Sequence, residues 1–168
     1  MNEETQIKYK SKKKVKSEID ICQEFILETK VNYKQGNVVI TGSDISNEEL
    51  HKIWNKKFKD IRLRERFVTL YLNRANYILG YYLAGMGSAN GICIDIKHII
   101  QTGLQCNAQA IILCHNHPSG NINPSRADLD LTKKIKEAAK LFDISVLDHI
   151  IITPDESKYF SFADESKI

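Results

Sequence analysis

Four segments of the chain have the short apolar or alternating pattern of β-strands: 67–72, 77–84, 108–114 and 144–152. A polar turn at 73–76 joins the first two as an antiparallel hairpin. Shorter candidates are a strand at 38–40 before a Thr-Gly turn, and an edge strand at 159–162. Glycine-rich residues from 85 to 91 predict a flexible loop after the hairpin.

Helical periodicity fills the gaps between these strands. The first helix is predicted to begin at Ser46, where Glu49 completes a capping box, and to run to about Lys59. Asp95 and Ser125 are the predicted N-caps of two further helices, the second of which ends near residue 142. The predicted core-facing residues are Leu50, Ile53, Trp54 and Phe58 in the first helix, and Ile96, Ile99, Ile100 and Leu104 in the second. The order predicts a mixed α/β (α+β) fold whose sheet contains one antiparallel hairpin.

Composition adds three constraints to this picture. The chain has 168 residues, of which 42% are hydrophobic and 27% charged, ordinary values for a globular protein. No apolar stretch approaches the roughly 20 residues of a membrane span, so no membrane association is predicted. Four cysteines without a C-x-x-C pair or a visible secretory signal predict a cytoplasmic protein.

The net charge of +3 is unevenly distributed. Residues 1–16 contain six lysines and two glutamates, so this segment carries +4 and the remainder −1. Residues 1–17 are therefore predicted to be a basic, disordered tail, followed by an extension at 18–59 that contains one helix. The tail is a candidate for weak, non-specific DNA binding or a solvated leader, while the near-neutral body argues against a dedicated nucleic-acid surface.

The candidate chemistry lies at residues 115–128. His115 and His117 are separated by one residue at the end of a predicted strand, so both imidazoles point to the same side. Asp128 lies in the first turn of the next helix, where the connecting loop brings it back toward the strand end. Two histidines and one carboxylate form a three-ligand zinc site that leaves the fourth position to water. Zinc bound in this way lowers the pKa of that water from about 15.7 to about 7.

Two more residues are candidates for catalysis. Ser125 has the position of a helix cap, and a hydroxyl there can also face an oxyanion. A hydrolytic zinc site also needs a base that is not a ligand. Glu65 precedes the first hairpin strand and is the candidate, although from spacing alone a solvated glutamate among arginines is the simpler interpretation.

These residues together resemble a known family. His115-Asn116-His117-Pro118-Ser119-Gly120, Pro124-Ser125 and Asp128 are similar to the signature of RadC-like proteins, a bacterial branch of the JAB/MPN (JAMM) metalloprotease superfamily. Further similarities are Leu72-Asn73-Arg74-Ala75-Asn76, Asn107-Ala108, Leu147-Asp148-His149-Ile150-Ile151-Ile152 and Tyr159-Phe160-Ser161-Phe162. The resemblance covers about residues 60–163 and defines 60–168 as a RadC-like JAB/MPN domain.

The resemblance implies a mixed sheet flanked by helices, with one Zn²⁺ per chain on His115, His117 and Asp128. It implies that Ser125 stabilises the tetrahedral oxyanion. It also selects Glu65, two residues before a phenylalanine, as the general base of a metallopeptidase or isopeptidase. The substrate, an unknown protein or peptide, is not specified by the sequence.

Two alternatives to a JAMM-type hydrolase are considered. The first is a DNA repair or recombination module with a non-catalytic zinc; residues 1–59 lack the Gly-rich helix-hairpin-helix region of many RadC-like proteins. The second, a zinc nucleobase deaminase, would need H-x-E and P-C-x-x-C, and neither motif occurs.

The remaining candidate ligands have plainer interpretations. His149 is predicted to be a satisfied core histidine, with a supporting contact to a metal ligand as the alternative. His98 and His51 are predicted to be structural or surface residues, and His51 to be exposed. Cys114 precedes His115 and is predicted to point to the opposite side of the strand.

Overall fold

The computed structural model of the chain describes residues 36–87 and 93–168, together with the backbone of two short strands nearer the N-terminus. The chain divides into two compact units, Met1–Tyr33 and Lys34–Ile168. In the first unit, β1 (Lys8–Tyr9) pairs with β2 (Leu27–Glu28) in an antiparallel ribbon. Apart from β1, the predicted disordered tail at 1–17 lies outside the described residues.

The second unit is an α+β domain around one five-stranded sheet. Its strands are β3 (Arg66–Leu72), β4 (Ile78–Met86), β5 (Ala110–Asn116), β6 (Ser145–Ile152) and β7 (Tyr159–Ser161). The strand order is β4-β3-β5-β6-β7, with β5 and β6 parallel and the other pairs antiparallel. Its helices are α1 (Ser43–Ile53), α2 (Ile96–Gln105) and α3 (Arg126–Lys140). The mixed sheet, the hairpin and the flanking helices confirm the predicted fold class.

Alternation along the central strands gives the sheet two apolar faces. On one face, called the α1 face, Leu50 of α1 and Trp54, which directly follows α1, pack in a buried layer that includes Leu70 and Cys114. On the other, called the α3 face, Phe67 and Leu113 pack with residues of α2 and α3, among them Ile135. All seven residues of β5 are buried, because both faces of this strand are covered.

The start of α1 differs from the prediction. The helix begins at Ser43, and Gly42 is the N-cap in extended backbone with no side-chain cap bond. Ser46 is therefore inside the helix, where its hydroxyl donates to the carbonyl of Gly42 at 2.9 Å. The predicted capping box at Ser46 and Glu49 is wrong, because Gly42 starts the helix one turn earlier. The predicted end holds, since a π-helical turn (Trp54–Phe58) continues the helix to Lys59, which has a left-handed φ of 59°.

Other boundaries shift by smaller amounts. The loop predicted to begin at Gly85 begins later, because Gly85 pairs with Phe67 and Met86 with Arg66, which extends β4 to Met86. Residues 88–92, the rest of the predicted loop, lie outside the described residues. The predicted strand at 38–40 is reduced to one bridge between Val39 and Tyr77.

The cap of α2 is confirmed, because the side chain of Asp95 accepts from the backbone N–H of Lys97 at 2.9 Å. The prediction that Leu104 faces the core is wrong: this residue, in the last turn of α2, is 50% exposed. Among the described residues, no helix combines the length and apolar character that crossing a membrane would require.

Candidate metal centre

The end of β5 positions the two histidines. His115 is the penultimate residue of the strand, and the backbone N–H of His117 donates to the carbonyl of Ile152 at 2.9 Å, which extends the strand geometry. Their Nε2 atoms are 2.9 Å apart, so the prediction that both rings point to one side is confirmed. Cys114 is fully buried in the α1 face, as predicted from the alternation of the strand.

The N-terminus of α3 supplies the carboxylate. Ser125 is the N-cap, and its hydroxyl accepts from the backbone N–H of Asp128 at 3.2 Å. Asp128 Oδ2 in turn accepts from the backbone N–H of Ser125 at 2.7 Å and from its hydroxyl at 2.6 Å. This capping box leaves Oδ1 facing the histidines, 3.4 Å from Nε2 of His115. One donor atom from each of His115, His117 and Asp128 lies within 4.8 Å of the other two.

The ring of His117 has a defined tautomer. Its Nδ1 lies 2.6 Å from the carbonyl oxygen of Asn121, which can only accept a hydrogen bond. The hydrogen is therefore on Nδ1, and the Nε2 of a neutral ring offers its lone pair to the cluster. Gly120 has a φ of +80°, a left-handed backbone that brings the loop back under the ring.

His115 lies deeper than His117 and stacks on Phe67 at 6.1 Å between ring centroids. Burial lowers its pKa to about 4, an effect that the charge of Asp128 opposes and His117 adds to. His115 is therefore neutral at neutral pH. A lone pair of His117 and a carboxylate oxygen of Asp128 lie beside its Nε2. Three electron-rich atoms that face one point are stabilised by a bound cation. Two imidazole nitrogens and one carboxylate oxygen are a donor set of catalytic zinc sites, so the residues fit this metal.

Glu65 is not a member of the three-residue donor group, and strand register is the guide to its position. It precedes β3, and continuing the pairing of Phe67 with His115 places Glu65 opposite His117. If the alternation of β3 continues one residue beyond its start, the side chain of Glu65 faces the same side as Phe67, which stacks on His115. Glu65 is half-buried and does not belong to the three-residue donor group. The assignment of Glu65 as a general base therefore stays a prediction.

Asn116, the residue between the two histidines, holds the segment around Glu65. Its Oδ1 accepts from the backbone N–H of Arg66 at 2.8 Å. Its Nδ2 donates to the carbonyls of Ile61 at 2.8 Å and Arg64 at 3.0 Å. The backbone on both sides of Glu65 is therefore fixed to β5 by one side chain. Asn116 was not among the predicted site residues, although it lies inside the H-x-H motif.

His149 on β6 contacts a predicted ligand. It is fully buried, as predicted for a core histidine, and its Nε2 lies 2.8 Å from Nδ1 of His115. The supporting contact considered as the alternative is therefore present as well. The Nδ1 of His149 lies 2.6 Å from the hydroxyl of Thr132 on α3, a residue that no sequence pattern indicated. His98 is half exposed beside Asp95, which agrees with a surface role.

One histidine was placed wrongly by the sequence. His51 was predicted to be exposed but is only 3% exposed, because α1 packs this side of the helix against the sheet. It belongs to the α1 face and is not part of the metal cluster.

Comparisons with known proteins show the family of this chain. Residues 45–167 match the family model described as RadC-like JAB domain. A UPF0758 protein of Flavobacterium johnsoniae is 46% identical over 101 residues, which are 60% of this chain and 43% of that protein. A UPF0758 protein of Streptococcus suis is 35% identical over 133 residues, which are 79% of this chain and 51% of that protein. The chain thus spans about half the length of these curated relatives.

Proposed function

Since the chain belongs to the RadC-like JAB domain family, we propose that it is a zinc-dependent hydrolase that cleaves an amide or isopeptide bond. The observation that carries the proposal is the cluster of His115, His117 and Asp128. No fourth histidine, cysteine or carboxylate joins this group within residues 36–87 and 93–168. Catalytic zinc sites characteristically have three protein ligands and an open position.

The three residues would hold one Zn²⁺ through two imidazole nitrogens and Oδ1 of Asp128. Zinc held in this way activates a water near neutral pH and polarises the carbonyl under attack. The capping bonds from Ser125 keep the carboxylate of Asp128 in one orientation, so the donor atoms are arranged before the metal arrives.

Glu65 is the proposed general base. It would take a proton from the attacking water and deliver it to the leaving amine, which needs a carboxylate that is close to the metal and not bound to it. The hydrogen bonds between the Asn116 side chain and the backbone of Arg64 and Arg66 support this role, because they fix the backbone on both sides of Glu65 to β5.

Ser125 is the proposed oxyanion donor. Its hydroxyl hydrogen is directed to Asp128 Oδ2 in this structure, so it would have to turn toward the substrate. The backbone N–H of Ser125 would still hold Asp128 Oδ2 after that turn. A hydroxyl at a helix N-terminus is well placed to stabilise negative charge.

The alternative is a DNA-associated module in which zinc only supports the fold. Structural zinc sites are usually closed by four protein ligands. The three-residue group favours the hydrolase, and an unknown protein or peptide is the proposed substrate class.

The test is Glu65→Gln, with Glu137→Gln on the exposed surface of α3 as the matched control. Zinc content is measured together with hydrolysis of quenched peptides and of a lysine-linked isopeptide. We expect Glu65→Gln to keep its zinc and lose at least about 100-fold in rate, the lower end for loss of a general base. The control should match the wild type. If Glu65→Gln hydrolyses these substrates at the wild-type rate, the base lies elsewhere.

A further inference from the structure

A continuous line of hydrogen bonds runs behind the candidate ligands. It begins at Nδ1 of His115, passes through both ring nitrogens of His149 and the hydroxyl of Thr132, and ends at the main-chain carbonyl of Asp128. The three distances after His115 are 2.8, 2.6 and 2.6 Å. The line joins two of the three proposed ligands through β6 and α3.

The hydrogens along this line can be assigned from its end. The carbonyl of Asp128 can only accept, so the single hydroxyl hydrogen of Thr132 is donated to it. Thr132 must then accept from Nδ1 of His149. A neutral imidazole with its hydrogen on Nδ1 has an acceptor at Nε2, and this atom faces Nδ1 of His115. His115 therefore carries its hydrogen on Nδ1.

This assignment leaves the lone pair of His115 Nε2 pointing at His117 and Asp128. We propose that His149 and Thr132 are positioning residues that fix His115 in the metal-binding tautomer and thereby set the zinc affinity of the site. The inference rests on the proposed zinc site and extends it to residues outside the donor group.

Packing supports a dedicated role for His149. Its ring stacks on Phe162 at 4.6 Å and meets the edge of Phe67 at 5.4 Å between centroids, so it cannot rotate freely. The backbone is fixed as well, because Asp148 Oδ1 accepts from the N–H of His149 and from that of Ala163. Both ring nitrogens of His149 are used, and each bond goes toward a proposed ligand.

The first test is the effect of variants on zinc affinity, measured by competition with a chromophoric chelator. His149→Phe keeps an aromatic ring between its neighbours and removes the acceptor, and should weaken zinc binding 10–100-fold. Thr132→Val should weaken it in the same direction, because the hydroxyl that orients His149 is lost. His149→Gln places an amide oxygen near the position of Nε2 and should recover most of the affinity. Binding by His149→Phe within threefold of the wild type would overturn the proposal.

The matched control is His51→Phe, which replaces a buried histidine on the opposite face of the sheet. It should bind zinc like the wild type. If it weakens zinc binding as much as His149→Phe does, the effect reflects general loosening of the fold, and the positioning role of His149 and Thr132 is rejected.

A second measurement needs no substitution. Long-range ¹H–¹⁵N NMR of the metal-free wild type distinguishes the two tautomers of each imidazole. The expected result is a hydrogen on Nδ1 in both His115 and His149. A hydrogen on Nε2 of His115 would contradict the proposed positioning role of His149 and Thr132. This measurement does not depend on hydrolysis, so the positioning role and the proposed activity are tested separately.

Discussion

Each face of the sheet buries one histidine outside the proposed donor group, and the two make different contacts. Burial lowers the pKa of both His51 on the α1 face and His149 on the α3 face. Nε2 of His51 has no hydrogen-bond partner within the described part of the chain. Both nitrogens of His149 are bonded, and the bonds lead to proposed metal ligands.

The difference extends to the surroundings of each histidine. Of the four buried side-chain polar atoms without a partner in the described residues, three lie on α1 and its π-helical continuation, in Asn47, His51 and Trp54. Burial and a shifted pKa are therefore common to both faces. The connection of polar groups to one another distinguishes the face that holds the proposed site, because a fully bonded polar network fixes its members in one arrangement.

The largest effect on stability is expected from Trp54→Ala, which tests whether packing on the α1 face influences zinc binding on the α3 face. Trp54→Ala empties a fully buried position on the α1 face and should lower the free energy of unfolding by about 3–5 kcal/mol. Zinc affinity of the folded fraction should not change. Denaturant unfolding checks the first value, with Leu141→Ala, an 81% exposed position, as the control that should change by less than about 0.5 kcal/mol. Zinc affinity that falls in proportion to stability would show that the two faces are not independent.

Asn116→Ala tests the residue that links the site to the segment before β3. The change leaves the N–H of Arg66 and the carbonyls of Ile61 and Arg64 without their partner, at a cost of about 1–3 kcal/mol. Because Glu65 loses its support while the ligands remain, hydrolysis should fall more than zinc affinity. Asn116→Asp retains the bond from Arg66 but turns a carboxylate oxygen toward the carbonyls of Ile61 and Arg64, so it should lower the rate at least as much as Asn116→Ala. Equal losses in rate and zinc affinity would place Asn116 among the supports of the ligands instead.

A smaller effect is expected from the ion pair between Arg66 and Asp60. Hydrogen bonds from Arg66, whose guanidinium also lies over the ring of Phe58, lower the pKa of Asp60. The pair therefore stabilises the fold above the unfolded pKa of Asp, and the contribution is lost as pH falls through the lower folded value. Asp60→Asn should reduce stability at pH 7 by about 0.5–1 kcal/mol and reduce the pH dependence below pH 4. If the variant and the wild type unfold at the same acid pH, Asp60 does not contribute to the pH dependence of stability.

The smallest effect is expected at His51. His51→Phe replaces a ring whose Nε2 has no partner in the described residues by an apolar one of similar shape, and should leave the free energy of unfolding nearly unchanged. Thermal unfolding of this variant and of His149→Phe provides the comparison. A loss of several kcal/mol at His51 would mean that its polar group is satisfied by ordered water.

Sequence patterns predicted the sheet and the cluster because both depend on local spacing. Alternation put His115 and His117 on one side of β5, and the cap at Ser125 placed Asp128 in the first turn of α3. Family resemblance, rather than spacing, selected Glu65. That role and those of the proposed ligands remain predictions.

What the sequence could not supply depends on contacts between distant segments. Thr132 meets His149 only because α3 packs beside β6, and no local pattern encodes that approach. The burial of His51 follows from the packing of α1 on the sheet in the same way. The start of α1 was misplaced because a serine three residues before a glutamate also occurs inside a helix, where its hydroxyl can bond backward.

The central claim, a three-ligand zinc site at the end of β5, is tested most directly by metal content. Native mass spectrometry would compare the wild type with His117→Ala, both purified without a chelator or a histidine tag. The account predicts about one zinc per chain in the wild type and none in the variant. A wild type that takes up no zinc after reconstitution, or a variant that keeps it, would contradict the account.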